Sequence, residues 1–290
     1  MNVLITGANG QLGTCLRFQT KKTNNQLFFT DIAELDISDS IAVNKFVDEK
    51  EIDIIVNCAA YTNVERAESE FEKAQTINAK SAENLALAIK RRKGLLIHIS
   101  TDYVFGGNLN NIPYKEDQPT NPTGAYGKTK LQGEEAVLKS GCRYIILRTS
   151  WLYSEYGRNF VKTMIELMKN RKVIKVVFDQ IGTPTYAHDL AATIIKIIEN
   201  PDTLKNNEGI YHYSNEGVTS WYDFAKEISK LMDSDAIVLP CHSNEFQSDV
   251  TRPSYSVLDK TKIKETFCLE IPYWRDSLER CIDNLKISNN

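Results

Sequence analysis

The chain has 290 residues, 42% hydrophobic and 25% charged, with a formal net charge of −3. That length suits one large domain or a domain with a smaller second lobe, and the near-neutral charge argues against a broad nucleic-acid-binding face. No apolar stretch approaches the ~20 residues that cross a bilayer and no basic leader precedes a long apolar run. The six cysteines stand apart without a C-x-x-C pair, so a cytoplasmic protein with reduced thiols is expected.

The first half alternates two kinds of segment. Apolar runs at 2–6, 26–31, 53–59, 94–100 and 143–150 read as buried strands, and amphipathic runs at 11–20, 39–50, 71–91 and 125–139 read as helices. Strand–helix alternation with continuously apolar strands predicts an α/β fold, a doubly wound parallel Rossmann sheet covered on both faces. Beyond residue 150 follow a helix at 159–171, a strand at 175–180, a helix at 187–200, a strand at 209–214, a helix at 220–232 and a turn-rich tail. The expected division is a dinucleotide-binding domain over 1–150, with return elements near 180–200, and a smaller, interleaved α/β substrate lobe over most of 151–290. No Pro/Gly linker marks the boundary.

"GANGQLG" (7–13) follows the first strand and opens the first helix, the context that separates a dinucleotide fingerprint from chance glycines. Gly7 suits the tight turn, Gly10 a close approach of backbone to a pyrophosphate, and Gly13 helix-on-strand packing. Asp31 ends the second strand, placed to accept hydrogen bonds from an adenosine ribose. No Arg or Lys lies between 32 and 44 to offset its repulsion of a 2′-phosphate, so NADH is favoured over NADPH. Asp36 and Ile37 fall where adenine is expected, and "NCAAYT" (57–62) ends the third strand with small residues.

Ser100 and Thr101 close the fourth strand, at the sheet end where such folds bind ligands. Next comes "YGKTK" (126–130). On a helix Tyr126 and Lys130, four apart, share a face, while Lys128 points away. A hydroxyl, a phenol and a lysine beside a nicotinamide form a carbonyl-reducing set, with Tyr126 as proton donor and Lys130 expected to lower the phenol's pKa. His98 reads as a core histidine, and Glu65, Arg66 and Glu68 as a solvated helix start.

With "TGANGQLG", "VNCAAYTNVERAE", "STDYVFGG", "YGKTKLQGE", "RTSWLY", "DQIGTPT" and "TRPSYSVLD", the chain resembles the extended short-chain dehydrogenase/reductases, and among them the dTDP-4-dehydrorhamnose reductase family, over nearly its whole length. The resemblance implies reduction of the C4 keto group of a nucleotide-linked 4-keto-6-deoxy sugar by NADPH or NADH. It makes Thr101, Tyr126 and Lys130 the catalytic set. It places Gly10, Gln11, Leu12, Asp31, Asp36, Ile37, Ala60, Tyr61 and Thr62 at the cofactor, and Val64, Asp102 and Trp151 at the sugar. Arg252 is a further candidate, receiving the substrate's diphosphate or forming a structural ion pair. A reductase of a related keto sugar, an epimerase or dehydratase, and a non-catalytic nucleotide-binding subunit are alternatives.

No His/Cys/Asp/Glu group has metal-ligand spacing. Some family members form Mg²⁺-bridged dimers through an acidic residue after the glycine loop and an acidic pair after the "PT" motif. Here those positions read Cys15, His188 and Asp189, and neither thiol nor imidazole suits Mg²⁺. The expectation is a metal-independent protein, a monomer or a dimer held by another surface.

Overall fold

In the computed structural model, which describes residues 1–20, 23–106, 111–200, 204–205, 207–245 and 250–288, the apolar runs of the first half become strands β1 (Asn2–Thr6), β2 (Gln26–Thr30), β3 (Ile54–Asn57), β4 (Leu95–Thr101) and β5 (Arg143–Thr149). Between them lie helices α1 (Gln11–Phe18), α2 (Ser40–Glu49), α3 (Arg66–Ser69), α4 (Phe71–Gln75), α5 (Ser81–Arg91) and α6 (Ala125–Ser140). After residue 150 come β6 (Leu152–Tyr153), α7 (Phe160–Asn170), β7 (Val173–Val177), β8 (Ile181–Gly182), β9 (Thr185–Tyr186), α8 (Ala187–Ile198), β10 (Gly209–Tyr213), β11 (Thr219–Ser220), a helix over Trp221–Leu231, here α9, and β12 (Ile237–Cys241). Helices α10 (Thr261–Phe267) and α11 (Trp274–Ser288) occupy the tail that reads as turn-rich.

The central sheet has the order β10-β5-β4-β3-β1-β2, and all five pairings are parallel. Its strands read as unbroken apolar runs because both faces are covered. Val3, Ile5, Val56, Ile97 and Leu147 face α1 and α8 through Leu12, Leu16, Leu190 and Ile194. The alternate residues Leu4, Ile55, Leu96 and Ile146 face Val43, Val47, Leu85 and Ile89 of α2 and α5. The chain adds β2 on one side of β1 and then returns to place β3 on the other. That reversal opens a crevice at the carboxyl ends of β1 and β3, where doubly wound sheets bind ligands.

Two local features shape the crevice. The run expected as one helix over 71–91 is interrupted by a π turn at Thr76–Lys80. The turn carries Asn78, whose Oδ1 accepts from Tyr61 N at 2.8 Å and whose Nδ2 donates to Thr129 Oγ1 at 3.0 Å, joining the loop after β3 to α6. The second is a separate apolar core of Tyr153, Val161, Met164, Phe224, Ile228 and Trp274, which carries α7, α9 and the parallel pair β7–β12 on the far side of the crevice. Among the described residues no helix is long and apolar enough to cross a membrane.

Candidate active site

The glycine loop needs its glycines for different reasons. Gly7 has φ +63°, and a Cβ there would come within 2.6 Å of Ala59 N at the end of β3. A Cβ on Gly13 would sit 2.4 Å from Gly7 O, so only glycine lets α1 rest on the loop. A Cβ on Gly10 would meet only Gly7 O, at 3.2 Å, and otherwise stand in open space. Gly10 is the residue before α1 and offers no capping side chain. The first N–H groups of the helix therefore point at the crevice with the positive end of its dipole. This cradle fits a dinucleotide's pyrophosphate. Asp31 holds the loop from the side, accepting from Asn9 N at 2.9 Å and from Ile32 N at 2.9 Å.

Thr101 ends β4 and starts a short 3₁₀ turn. Its Oγ1 donates to Asp102 Oδ1 at 3.1 Å and accepts from Tyr103 N at 3.2 Å. Across from it stands α6. A Cβ on Gly127 would lie 2.2 Å from Tyr103 O, so this glycine lets the helix press against the turn. Glu68, which reads in sequence as solvated, instead caps this helix. Its Oε1 accepts from Ala125 N at 2.7 Å, placing a carboxylate at the positive end of α6. Tyr126 and Lys130 share one face of the helix. Lys130 is 2% exposed and donates from Nζ to Ile99 O at 2.6 Å, whereas Lys128 is exposed.

Burial pushes the Tyr126 phenol up to about 12, a hydrogen bond with Thr101 draws it back and the charge of Asp102 adds to the rise. The expectation that Lys130 lowers the phenol's pKa is therefore corrected. Burial and the Asp102 charge both act upward in the protein alone, and the ammonium is committed to the Ile99 carbonyl. Burial brings Lys130 itself down to about 8, opposed by the charges of Glu134 and Cys58. Asp102 is raised to about 6 by burial, against hydrogen bonds from Ser256 and Thr101. One turn beyond Lys130, Glu134 (1% exposed) pairs with Arg148 (3% exposed) at 2.7 Å and accepts from Ser100 Oγ at 2.5 Å. This buried cluster fastens α6 to β4 and β5 directly behind the reactive groups.

These elements enclose a cleft of about 840 Å³. It brings together Gly7, Gly10, Gln11, Leu12, Asp31, Asp36, Ile37, Ala60, Thr62, Val64, Thr101, Asp102, Tyr126, Lys130 and Trp151. Three predicted residues lie outside its lining. Gly13 acts in packing, against the glycine loop. Tyr61 turns its hydroxyl to Glu70 at 3.1 Å. Arg252 is not in the lining and pairs with Glu65 at 3.2 Å. Cys58, within "NCAAYT", also lines the cleft, as do Ile77, Arg158 and Trp221; nothing in the sequence context of these last three distinguishes them from packing or surface residues. His98 is buried and its Nδ1 lies 3.0 Å from Asn57 Nδ2. Burial holds its pKa well below the usual histidine range.

Residues 1–287 match the family described as "RmlD substrate binding domain". A dTDP-4-dehydrorhamnose reductase of Aggregatibacter actinomycetemcomitans is 39% identical over 96% of this chain and 97% of its own. The chain belongs to the dTDP-4-dehydrorhamnose reductase family. Two crystal structures of reductases with that name superpose closely. The one from Clostridium acetobutylicum has a TM-score of 0.93 and 44% identity over 99% of this chain and 100% of its own. The one from Bacillus anthracis, in complex with NADP, has a TM-score of 0.92 and 41% identity over 98% and 99%. The three positions singled out in the sequence after the glycine loop and the "PT" motif have these surroundings. Cys15, on the inner face of α1, is fully buried. Asp189 pairs with Arg280 at 2.6 Å and accepts from Ser277 Oγ at 2.5 Å. His188 Nε2 lies 3.5 Å from Glu155 Oε2.

Proposed function

We propose that this protein reduces the C4 keto group of dTDP-4-dehydro-L-rhamnose with a nicotinamide cofactor to give dTDP-L-rhamnose. The observation that carries this reading is the placement of Thr101, Tyr126 and Lys130 in one cleft with the glycine loop. The bound cofactor supplies a hydride; the chain supplies the proton and the orientation. With its pKa raised to about 12, Tyr126 is fully protonated at neutral pH and gives its proton to the ketone oxygen. The phenolate left behind is stabilised by the hydrogen bond with Thr101 and, once substrate and cofactor draw its ammonium from the Ile99 carbonyl, by Lys130. Lys130 carries that charge below a pH of about 8. Gly7, Gly10, Gln11, Leu12, Asp31, Asp36, Ile37, Ala60 and Thr62 form the cofactor side, and Val64, Asp102 and Trp151 the sugar side.

We read residues 1–150, with α8 and β10, as the dinucleotide-binding part and the rest of 151–290 as the substrate lobe. Asp31 stands without a compensating cation in the following segment, which favours NADH being used at least as well as NADPH. NMR of the sugar formed from dTDP-4-keto-L-rhamnose and either cofactor tests the reading. Rhamnose is expected, together with a ~10²–10⁴-fold loss of turnover in Tyr126→Phe at unchanged cofactor affinity. A different C4 epimer, or near-normal turnover in the variant, would overturn it.

A further inference from the structure

Trp151 is the one large aromatic residue in the left-handed backbone region among the described residues, with φ +47°. A bulky residue there is an outlier held in place by its surroundings. The surroundings are visible. The Ser150 hydroxyl donates to Thr183 O at 2.6 Å, and Trp151 O accepts from Thr185 N at 3.2 Å. Gly182 lies so close to the indole that a Cβ would come within 2.6 Å of its ring atoms. Trp221, the first residue of α9, stacks on Trp151 with ring centroids 3.5 Å apart and planes 9° from parallel. Trp221 is backed in turn by Phe160 at 4.5 Å. Both indoles line the cleft and Gly182 does not.

Strain at Trp151 is thus balanced by contacts whose common effect is to fix one indole at the wall of the cleft that Tyr126 also lines. Pure packing would not require a left-handed tryptophan: an ordinary backbone conformation could bury an aromatic ring in the same core. We propose that Trp221 and Gly182 are positioning residues that hold the Trp151 indole where the sugar of the nucleotide substrate must pack, so that sugar recognition depends on them and cofactor binding does not. This rests on the functional reading above. Stacked indoles present a rigid apolar wall to the pyranose ring and lose little conformational freedom when substrate arrives.

The test compares the wild-type protein with Trp221→Ala, Trp221→Phe and Gly182→Ala. The last keeps both tryptophans and substitutes no residue of the cleft lining while pushing on the Trp151 ring. Three readouts are needed: the nucleotide-sugar KM at saturating cofactor, the NADPH Kd by fluorescence, and the circular-dichroism exciton couplet of the stacked indoles. KM should rise roughly tenfold in Trp221→Ala and Gly182→Ala, and less in Trp221→Phe, which keeps an aromatic face. The couplet should vanish in the Trp221 variants and change in Gly182→Ala, at unchanged NADPH Kd. An unmoved KM in the alanine variants, or an equal loss of NADPH affinity, would overturn the inference while leaving the reductase reading intact. A wild-type protein that does not turn over the nucleotide sugar would overturn both.

Discussion

Removing the Lys130 charge should make the protein more stable and inactive. The ammonium is 2% exposed, and burial brings its pKa from 10.5 to about 8. That gap corresponds to about 3 kcal/mol of cost for carrying the proton in the folded state. Below pH 8 the folded and unfolded chains both hold the proton, and the whole cost is present. Between pH 8 and 10.5 the unfolded chain keeps a proton that the folded chain has released, so the wild-type protein gains stability as pH rises through this window. Above 10.5 both states are neutral and the cost is gone. Lys130→Met fills the same space without the charge. Glu134 is not stranded by the change, because Arg148 remains its partner at 2.7 Å. The Ile99 carbonyl loses its donor, which offsets about 1 kcal/mol. The variant should therefore be about 2 kcal/mol more stable than wild type at neutral pH. The advantage should fall as pH rises from 8 and reverse above 10.5, where the wild type, still bonded to the Ile99 carbonyl, is about 1 kcal/mol the more stable. Urea unfolding of both proteins across that range is the assay, with turnover measured alongside. A variant less stable than wild type at neutral pH, or a difference that does not change with pH, would refute the reasoning.

Three further outcomes follow from other sites. Glu134→Gln breaks a pair whose members are 1% and 3% exposed and should cost about 3–5 kcal/mol; a loss under about 1 kcal/mol in urea unfolding would show that the cluster is not the anchor of α6. NADH should match or exceed NADPH in kcat/KM, and a roughly tenfold preference for NADPH would mean that a basic residue from elsewhere in the fold reaches the 2′-phosphate near Asp31. Excess EDTA should change neither sedimentation nor activity, since Cys15 is buried and Asp189 is engaged by Arg280; dissociation with loss of activity, restored by MgCl₂, would contradict this.

The sheet was legible because its strands are buried on both faces, so each reads as an unbroken apolar run such as Ile54–Val56 or Leu95–Ile97. The Tyr126–Lys130 relationship was legible because helical spacing alone puts them on one face and sends Lys128 outward. The direction of the Tyr126 pKa was not, since spacing gives proximity but no desolvation, and burial decides the sign. The π turn at Thr76–Lys80 carries no sequence signature; it exists because Asn78 is drawn to Tyr61 and Thr129, residues distant in sequence. The last helix did carry a signal. Trp274, Leu278, Cys281, Ile282 and Leu285 fall at helical spacing and meet the second core, but the charged residues between them mask the stripe. Trp221 reads in sequence as one more core aromatic, and only the stack on Trp151 reveals its place at the cleft.

The late arrival of β10 sets how this fold can be recombined. Its residues Gly209–Tyr213 pair with Ile145–Thr149, so the sheet is closed by a strand encoded after α7 and the first half of the second core. A gene cut at residue 150 would leave the outer side of β5 with unpaired backbone groups beside Ile145 and Leu147, a template for intermolecular strand addition. Exchanging the lobe built on the second core with that of a relative therefore cannot be done at a single junction. A chimera must keep α8 and β10 from the same parent as β5, and splice foreign sequence on either side of them.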